Sequence, residues 1–436
     1  MFAYYLDLAV RSLRRNKALT LVMILAIALG IGATMTTLTV YHVLSGDPIP
    51  QKSAVLFYPR MDPRSKAGFT PGDEPEQQMT RYDAEALLRQ KRGDRQALMT
   101  AGNVIVDMEG SSAKPVSEQA RYTSADFFAM FEAPFRYGTG WKASDDEARA
   151  RVAVISKKLN DRLFRGGDSV GKTFRIARND FRVIGVLDAW EVNPRFYDLT
   201  NQRFGGSEDV YLPFSTSRAL KLGTQGNMNC WGDANLDDEG STGLNAPCTW
   251  LQYWVELDSP QKVAQYRRYL EDYSDEQRKA GRFERPTNVR LHGVMDWLEE
   301  MGAVPSDVRL QMWLAFAFLV VCLLNTVGLL LAKFLRRSGE IGVRRALGAS
   351  RMEIFKQCVV EAGTVGLAGG VFGLLLALLG LWAVRQQPAS YASLAHLDGS
   401  MLLLTFVLAV AASLLAGLLP AWRAMQVTPA IQLKSQ

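Results

Sequence analysis

The sequence has few of the side chains on which metal centres and hydrolytic sites depend. Its three histidines, His42, His292 and His396, stand far apart along the 436 residues, and there are only four cysteines. A zinc centre needs several such ligands at close spacing, and an activated serine needs a base beside it. We therefore predict no catalytic residue and no metal site in this chain.

Two short matches to enzyme motifs lack the context that would give them meaning. Residues 166–173 read GGDSVGKT, which satisfies the P-loop pattern GxxxxGK[ST], and residues 167–171 satisfy GxSxG. Both motifs work where a strand leads in and a helix leads out. Here a polar helix is expected over 157–164 and a strand over 173–176. We interpret the segment as a turn and predict no nucleotide site in it.

The positive charge is distributed unevenly. The chain has a net charge of +6, yet residues 45–309 hold 36 Lys and Arg against 39 Asp and Glu, a net charge of −3. The excess of basic residues therefore lies beside the apolar runs. This pattern is typical of membrane topology, whereas nucleic-acid binding would require a basic patch on the folded domain, so we expect no nucleic-acid partner.

Four apolar runs, over 18–44, 310–332, 358–384 and 401–422, reach the roughly 20 residues that a membrane-spanning helix needs. Lys and Arg cluster before the first run, between the second and third, and after the fourth, and such flanks favour the cytoplasmic side. We predict an integral membrane protein with four transmembrane α-helices and both termini in the cytoplasm. The remaining segments are a cytoplasmic N-terminal segment (1–17), one large outer domain (45–309), a cytoplasmic coupling segment (333–357), a short periplasmic loop (385–400) and a cytoplasmic tail (423–436).

The outer domain is predicted to be α+β, because helix-like and strand-like segments alternate along it. We expect a hairpin turning at Asn179 and Asp180, and a helix opened at Asp126 by a capping box with Thr123. Residues 223–247 show no periodicity and are bracketed by Cys230 and Cys248. Disulfides persist outside the membrane, so we predict a disulfide between these two cysteines; two free thiols are the alternative.

The third span contains two overlapping GxxxG pairs, which predict close packing against another helix; a kinked helix is the alternative. These pairs are Gly366 with Gly370 and Gly369 with Gly373. Glu361 stands near the start of this span, where a lone carboxylate is costly in lipid. We expect it at the cytoplasmic interface or against another helix, and a proton site is the alternative.

Residues 340–357, EIGVRRALGASRMEIFKQ, form an elbow between the second and third spans. Gly348 is placed to end a helix over 340–347, and Ser350 with Glu353 forms a capping box that starts the next helix. A capped break between two helices in a short basic connection suggests a surface to which another protein binds.

The segment EIGVRRALGAS (340–350) resembles the motif after the second span in permeases of the MacB/FtsX/LolC-E group of ABC transporters. Residues 151–187, 7–22 and 420–433 are similar to further parts of the same family. The resemblance implies a bacterial inner-membrane permease that binds no cofactor itself. Because about 17 residues precede the first span, it also implies a separate cytoplasmic ABC ATPase that carries ATP and Mg. Further implied partners are a second permease, identical or a sister chain, a periplasmic adaptor and the lipid bilayer.

The resemblance assigns the elbow to coupling with the ATPase, through Glu340, Ile341, Arg344, Arg345, Leu347 and Gly348. Ile341 and Leu347 are expected to enter a groove on the ATPase, whereas Arg344 and Arg345 could instead meet anionic lipid headgroups. The implied function is mechanotransmission: ATP hydrolysis moves the outer domain for export or extraction of a substrate. An FtsX-like regulator of a cell-wall hydrolase, without cargo, is the alternative, and a membrane-anchored enzyme is a third.

Overall fold

The computed structural model describes residues 8, 11–12, 15–107, 115–233, 239–387 and 391–426. The chain divides into two compact units. We call Met1–Gly46 together with Val304–Gln436 the membrane unit, and Asp47–Ala303 the outer domain.

The elements of the described residues are given in chain order. The α-helices are α1 (Lys17–Ser45), α2 (Arg81–Gln90), α3 (Phe127–Met130), α4 (Ala143–Glu147), α5 (Lys157–Phe164), α6 (Phe214–Ala219), α7 (Pro260–Lys279), α8 (Val294–Glu300), α9 (Ser306–Arg336), α10 (Ser338–Ala346), α11 (Arg351–Arg385) and α12 (Gly399–Met425). The strands are β1 (Leu56–Met61), β2 (Met79–Thr80), β3 (Arg95–Asp107), β4 (Val116–Thr123), β5 (Phe135–Gly138), β6 (Val152–Ile155), β7 (Thr173–Ile176), β8 (Asn179–Leu187), β9 (Val210–Pro213), β10 (Thr224–Gln225), β11 (Asn229–Cys230), β12 (Cys248–Glu256) and β13 (Val289–Gly293).

Four helices of the membrane unit, α1, α9, α11 and α12, are long and apolar enough to cross a bilayer. Helices α1 and α12 each pack against both α9 and α11, around an apolar core that includes Ile27, Leu330 and Val365. Helix α11 has 35 residues, a length of about 52 Å at 1.5 Å per residue, which exceeds the hydrocarbon thickness of about 30 Å. It starts at Arg351, before the predicted span at 358, so the last part of the elbow and the third span form one continuous helix.

The outer domain is built on one mixed sheet, which confirms the predicted α+β class. The main strand order is β13-β1-β12-β3-β4-β9-β6-β8-β5, and within the described ranges the parallel pairs are β4 with β9 and β6 with β8. Side chains alternate between its two faces, as the strand period of 2 requires. In β12, Tyr253 and Val255 join one apolar core while Trp254 joins the other. Helices α2 and α7 contribute to the first core, and α3 and α8 to the second.

Two local predictions in the outer domain are wrong. The hairpin turns at Ala177 and Arg178, which both have positive φ, and Asn179 already belongs to β8. The helix near Asp126 is the short α3, without a capping box. Asp126 instead accepts a hydrogen bond from the Gln96 backbone N–H at 3.0 Å, so its carboxylate is used in a tertiary contact with β3 and not in a helix cap.

The cysteine prediction is confirmed. Cys230 in β11 and Cys248 in β12 form a disulfide, and the two residues are directly paired across the strands. The bridge thus links β11 covalently to β12. Cys322 and Cys358 in the membrane unit are buried and free.

Candidate coupling site

The elbow consists of α10, a left-handed turn and the start of α11, and its sequence explains each part. Gly348 has φ +103°, a conformation that favours glycine. Its N–H donates to the Arg345 carbonyl at 3.2 Å and the Ala349 N–H donates to the Arg344 carbonyl at 3.1 Å, which together make a Schellman motif. The predicted end of the helix at Gly348 is confirmed, with α10 spanning Ser338–Ala346.

The predicted capping box at the start of α11 is also confirmed. The Glu353 N–H donates to Ser350 Oγ at 3.2 Å, and the Ser350 N–H donates to Glu353 Oε2 at 2.8 Å. With a Schellman motif on one side and a capping box on the other, the backbone N–H groups of Gly348, Ala349 and Ser350 are all satisfied within the elbow. The corner between α10 and α11 is therefore fixed by local hydrogen bonds.

The outward side of the elbow is apolar. Leu347 is 83% exposed, more than any other large apolar side chain in the described part of the chain. Val343 is 53% exposed and stands four residues earlier, so it lies on the same side of α10. Ile341 is different: it is half-buried and packs against the apolar core of the membrane unit. Leu347 is thus the exposed one of the two predicted apolar residues, whereas Ile341 faces its own helices, and entry of Ile341 into a partner's groove stays a prediction.

The two predicted basic residues of α10 are half-buried, and Arg344 has a partner within the chain. Arg344 Nη1 donates to Gln357 Oε1 in α11 at 3.0 Å. This bond ties the last turn of α10 to the second turn of α11. Arg344 thus points toward its own protein rather than into open solvent.

Behind the elbow lies a series of alternating charges that we call the charge series: Lys333, Glu361, Arg337, Glu340 and Arg15. Lys333 Nζ lies 2.6 Å from Glu361 Oε1, and Arg337 Nη1 lies 3.3 Å from Glu361 Oε2. Arg337 Nε donates to Glu340 Oε2 at 3.1 Å, and Arg15 Nη1 donates to Glu340 Oε1 at 2.6 Å.

Ser12 completes the inner end of the charge series. Its hydroxyl donates to Glu361 and accepts from Arg337 Nη1 at 2.8 Å. A cavity of about 20 Å³, lined by Arg337, Glu340 and Glu361 among others, has room for about one water molecule. Glu361 therefore lies against other helices, as expected, but it is not the lone intramembrane charge that the sequence suggested.

Outside the membrane-spanning helices, the pKa of Glu340 is lowered although its partial burial acts to raise it. The guanidinium groups of Arg337 and Arg15 outweigh that burial. Glu340 is thus held as a carboxylate at neutral pH, which keeps the outer part of the charge series ionised.

The four glycines of the two GxxxG pairs in α11 contact two different helices of the same chain. A Cβ on Gly366 would collide with Ser413 in α12, and a Cβ on Gly370 would lie 2.5 Å from Ala409 Cβ in α12. The other two face α1: a Cβ would come within 2.6 Å of Ile27 at Gly369 and within 2.9 Å of Ile31 at Gly373. The predicted close packing is present, but it occupies two faces of α11 rather than one.

The P-loop pattern has the reversed context that the sequence predicted. Helix α5 ends at Phe164 before the glycines, and strand β7 starts at Thr173 after them. The Lys172 ammonium lies over the Phe164 ring, 5.5 Å from its centroid. Among the described residues, no group of three or more His, Cys, Asp or Glu side chains is placed to hold a metal ion.

The chain has one apolar helix, then a large α+β domain and then three further apolar helices, and its matches to family models assign this arrangement to the permeases of ABC transporters. Residues 20–273 match the MacB-like periplasmic core domain, and residues 312–429 match the FtsX-like permease C-terminal domain. The chain belongs to the MacB-like family and is a multi-pass inner-membrane protein.

The relatives that it matches are named "Macrolide export ATP-binding/permease protein MacB". The proteins from Shigella boydii and from Escherichia coli K12 are 26% and 25% identical over 97% of this chain. The protein from Marinobacter nauticus is 24% identical over 98% of it. The chain spans 59–60% of the length of these relatives.

Two solved structures are similar to this chain at low scores. The periplasmic region of MacB from Actinobacillus actinomycetemcomitans has 15% identity and a TM-score of 0.36, covering 58% of this chain and 94% of its own. The extracellular domain of the transporter YknZ from Gram-positive bacteria has 12% identity and a TM-score of 0.34, covering 54% and 99%.

Proposed function

We propose that this chain is a permease subunit that converts ATP binding and hydrolysis by a separate cytoplasmic ATPase into movement of its outer domain. The ATPase holds the ATP and Mg, and the elbow is the surface that it contacts. The movement serves export or extraction of a substrate from the periplasm or the outer leaflet. The observation that carries this proposal is the exposed apolar side of a rigid, capped elbow.

The elbow has the character of a docking surface. Exposed apolar side chains grouped within a polar surround are typical of protein interfaces. Leu347 and Val343 supply the apolar part, and Arg351 and Glu353 at the start of α11 are exposed beside them in sequence. The elbow's own hydrogen bonds fix the shape of this surface before a partner arrives, which lowers the entropy cost of binding.

The proposed arrangement places both termini and the elbow in the cytoplasm. Basic residues flank the membrane helices at these ends, in accord with the positive-inside pattern. The printed names of the relatives combine ATP binding with macrolide export. They support an export role. As partners we propose a second permease chain, a periplasmic adaptor and a separate chain that supplies the ATP-binding part.

The FtsX-like regulator stays the alternative, since the match over 312–429 concerns membrane helices that both functions would share. The two functions differ in what the outer domain contacts. Cross-linking of the outer domain in intact cells, followed by identification of the captured protein, separates them. A periplasmic adaptor supports export, and a cell-wall hydrolase supports regulation.

The docking surface is tested by Leu347→Asp in the full chain co-expressed with the ATPase. A charge at the centre of an apolar contact is expected to lower co-purification of the ATPase by at least about tenfold. Met295→Asp is the matched control, because Met295 is an exposed apolar residue (41%) in the outer domain. Unchanged co-purification and ATP turnover in Leu347→Asp would contradict the docking role.

A further inference from the structure

Arg337 occupies a special place in the chain and in the charge series. It is the one residue between the end of α9 at Arg336 and the start of α10 at Ser338. Its guanidinium uses two different nitrogens: Nη1 lies 3.3 Å from Glu361 in α11, and Nε donates to Glu340 in α10 at 3.1 Å. One side chain at the junction therefore ties the coupling helix to the third membrane helix.

Exposure rises steadily along the charge series. The side chains are exposed by 0% at Lys333, 3% at Glu361, 21% at Arg337, 40% at Glu340 and 73% at Arg15. Exposed ion pairs are weak and screened by salt, whereas separating a buried pair leaves an uncompensated charge. The inner contacts thus hold firmly, and the outer contact of Glu340 with Arg15 can break and re-form.

Because of its position, the contact of Arg337 with Glu361 strongly constrains the angle between α10 and α11. Gly348, where the chain turns, is about ten residues away, which is about 15 Å along a helix. The Arg344–Gln357 bond lies closer to that turn, so the same rotation of α10 displaces it less. The contact of Arg337 with Glu361 lies at the far end of α10, where any rotation about the turn produces the largest displacement.

We propose that Arg337 and Glu361 form the joint that makes α10 and α11 move together, so that a push on the elbow reaches the membrane helices. Both are positioning residues, since neither is part of the exposed apolar surface. If α10 swung away alone, Arg337 would have to release either Glu340 of α10 or Glu361 of α11, and loss of the second contact would leave a carboxylate of 3% exposure with only one of its two cations. Movement of α10 and α11 as one body avoids that cost. The inference rests on the proposed function and names the route by which the movement is transmitted.

The test uses the full permease with its ATPase in lipid nanodiscs. Three quantities are measured: co-purification of the ATPase, KM for ATP, and the change in hydrogen–deuterium exchange of the outer domain on adding a non-hydrolysable ATP analogue. The variants are Arg337→Gln, Arg337→Lys and Glu361→Gln. Arg336→Gln is the matched control, because Arg336 is the exposed neighbour and carries the same charge.

Arg337→Gln and Glu361→Gln are expected to keep co-purification and KM within about twofold of the parent, since the docking surface and the nucleotide site lie elsewhere. The ATP-dependent exchange change in the outer domain should fall by at least about tenfold, because the joint is broken. Arg336→Gln should respond like the parent. Arg337→Lys should lose the response as well, since the single nitrogen of lysine cannot occupy the positions of both Nε and Nη1.

A full exchange response in Arg337→Gln or Glu361→Gln overturns the joint while leaving the docking proposal intact. A parent-like response in Arg337→Lys also overturns it, because a role that needs only positive charge would be restored by lysine. If Arg337→Gln and Glu361→Gln do not fold, Glu340→Gln tests the joint instead, since this half-exposed side chain is the other partner of Arg337. It should lose about half of the response, and an unchanged response overturns the joint. A parent complex without any ATP-dependent exchange change overturns both proposals.

Discussion

Replacement of Arg121 by methionine tests the buried ion network of the outer domain. Arg121 lies in β4 with a fully buried side chain, 2.7 Å from Asp198 and in contact with Glu208. Arg195 also pairs with Glu208, at 3.1 Å, and Tyr197 donates to it at 3.0 Å. Methionine fills a similar length without charge, so Arg121→Met leaves Asp198 and Glu208 buried with a single remaining cation.

The loss of stability expected for Arg121→Met can be estimated in two ways. Removing one partner of a buried ion pair costs about 3–5 kcal/mol. Burial alone would raise the pKa of Glu208, but Arg121 and Arg195 outweigh it and lower the pKa from 4.5 to about 2. A carboxylate whose pKa is depressed by folding stabilises the protein above its unfolded pKa, and at 1.36 kcal/mol per unit this amounts to roughly 3 kcal/mol. That stability is lost as the pH falls from 4.5 toward 2.

The assay is urea unfolding of the outer domain, Asp47–Ala303, at pH 7 and at steps down to pH 3. Arg121→Met is expected to lower the free energy of unfolding by about 3–5 kcal/mol at pH 7 and to show a shallower loss of stability below pH 4.5. Arg268→Met, an exposed arginine on α7, is the control and should stay within about 0.5 kcal/mol. A loss below about 1 kcal/mol for Arg121→Met would show that the network does not stabilise the fold in this way.

Two further predictions concern packing and pH. Gly366→Val should force α11 away from Ser413 in α12 and lower the thermal midpoint of the full chain in detergent, at a cost of about 1–3 kcal/mol. Gly363→Val, on the same helix but with no neighbouring heavy atom within 4 Å, should match the parent, and an equal loss in both would contradict the packing. Burial and the adjacent Arg60 guanidinium lower the pKa of His292 below 6.5, so the unfolded chain binds its proton first and stability falls as the pH drops below 6.5. His292→Gln should flatten the fall in unfolding free energy between pH 6.5 and 5, and an unchanged slope would assign it to other groups.

The caps of the elbow could be predicted from sequence because they depend on neighbouring residues. Gly348 supplies the left-handed turn, and Ser350 with Glu353 closes the box within four positions. The direction of Ile341 could not be predicted in this way. Which side of α10 faces the membrane helices depends on contacts with other helices, and amphipathicity over nine residues does not distinguish its own core from a partner's groove.

The charge series was missed for the same reason. Lys333 and Glu361 are 28 residues apart and lie on different helices, and no local pattern reports their pairing. Lys333 directly follows the second apolar run, where the sequence predicts a cytoplasmic flanking charge, yet it is buried in the last turn of α9. The sequence does carry one signal for this pair: a basic residue directly follows one apolar run, and an acidic residue lies just inside the next.

Core packing overrode turn chemistry in the outer domain. Asn179 and Asp180 are better turn residues than Ala177 and Arg178, but Phe174 must pair with Phe181 so that both rings enter the same core. A shift by one residue would expose one ring, so burial fixes the register and leaves Ala177 and Arg178 in the turn.

The two glycine faces explain why the joint at Glu361 would act on the whole membrane unit. Helix α11 meets α12 through Gly366 and Gly370, and α1 through Gly369 and Gly373, and at these points α11 has no side chain of its own to hold the helices apart. Such close contacts leave little room for α11 to slide or rotate alone. Lys333 and Glu361 add a buried contact to α9. A displacement given to α11 by the elbow therefore has to be shared by its three neighbours, which is the mechanical property that a transmitting permease needs.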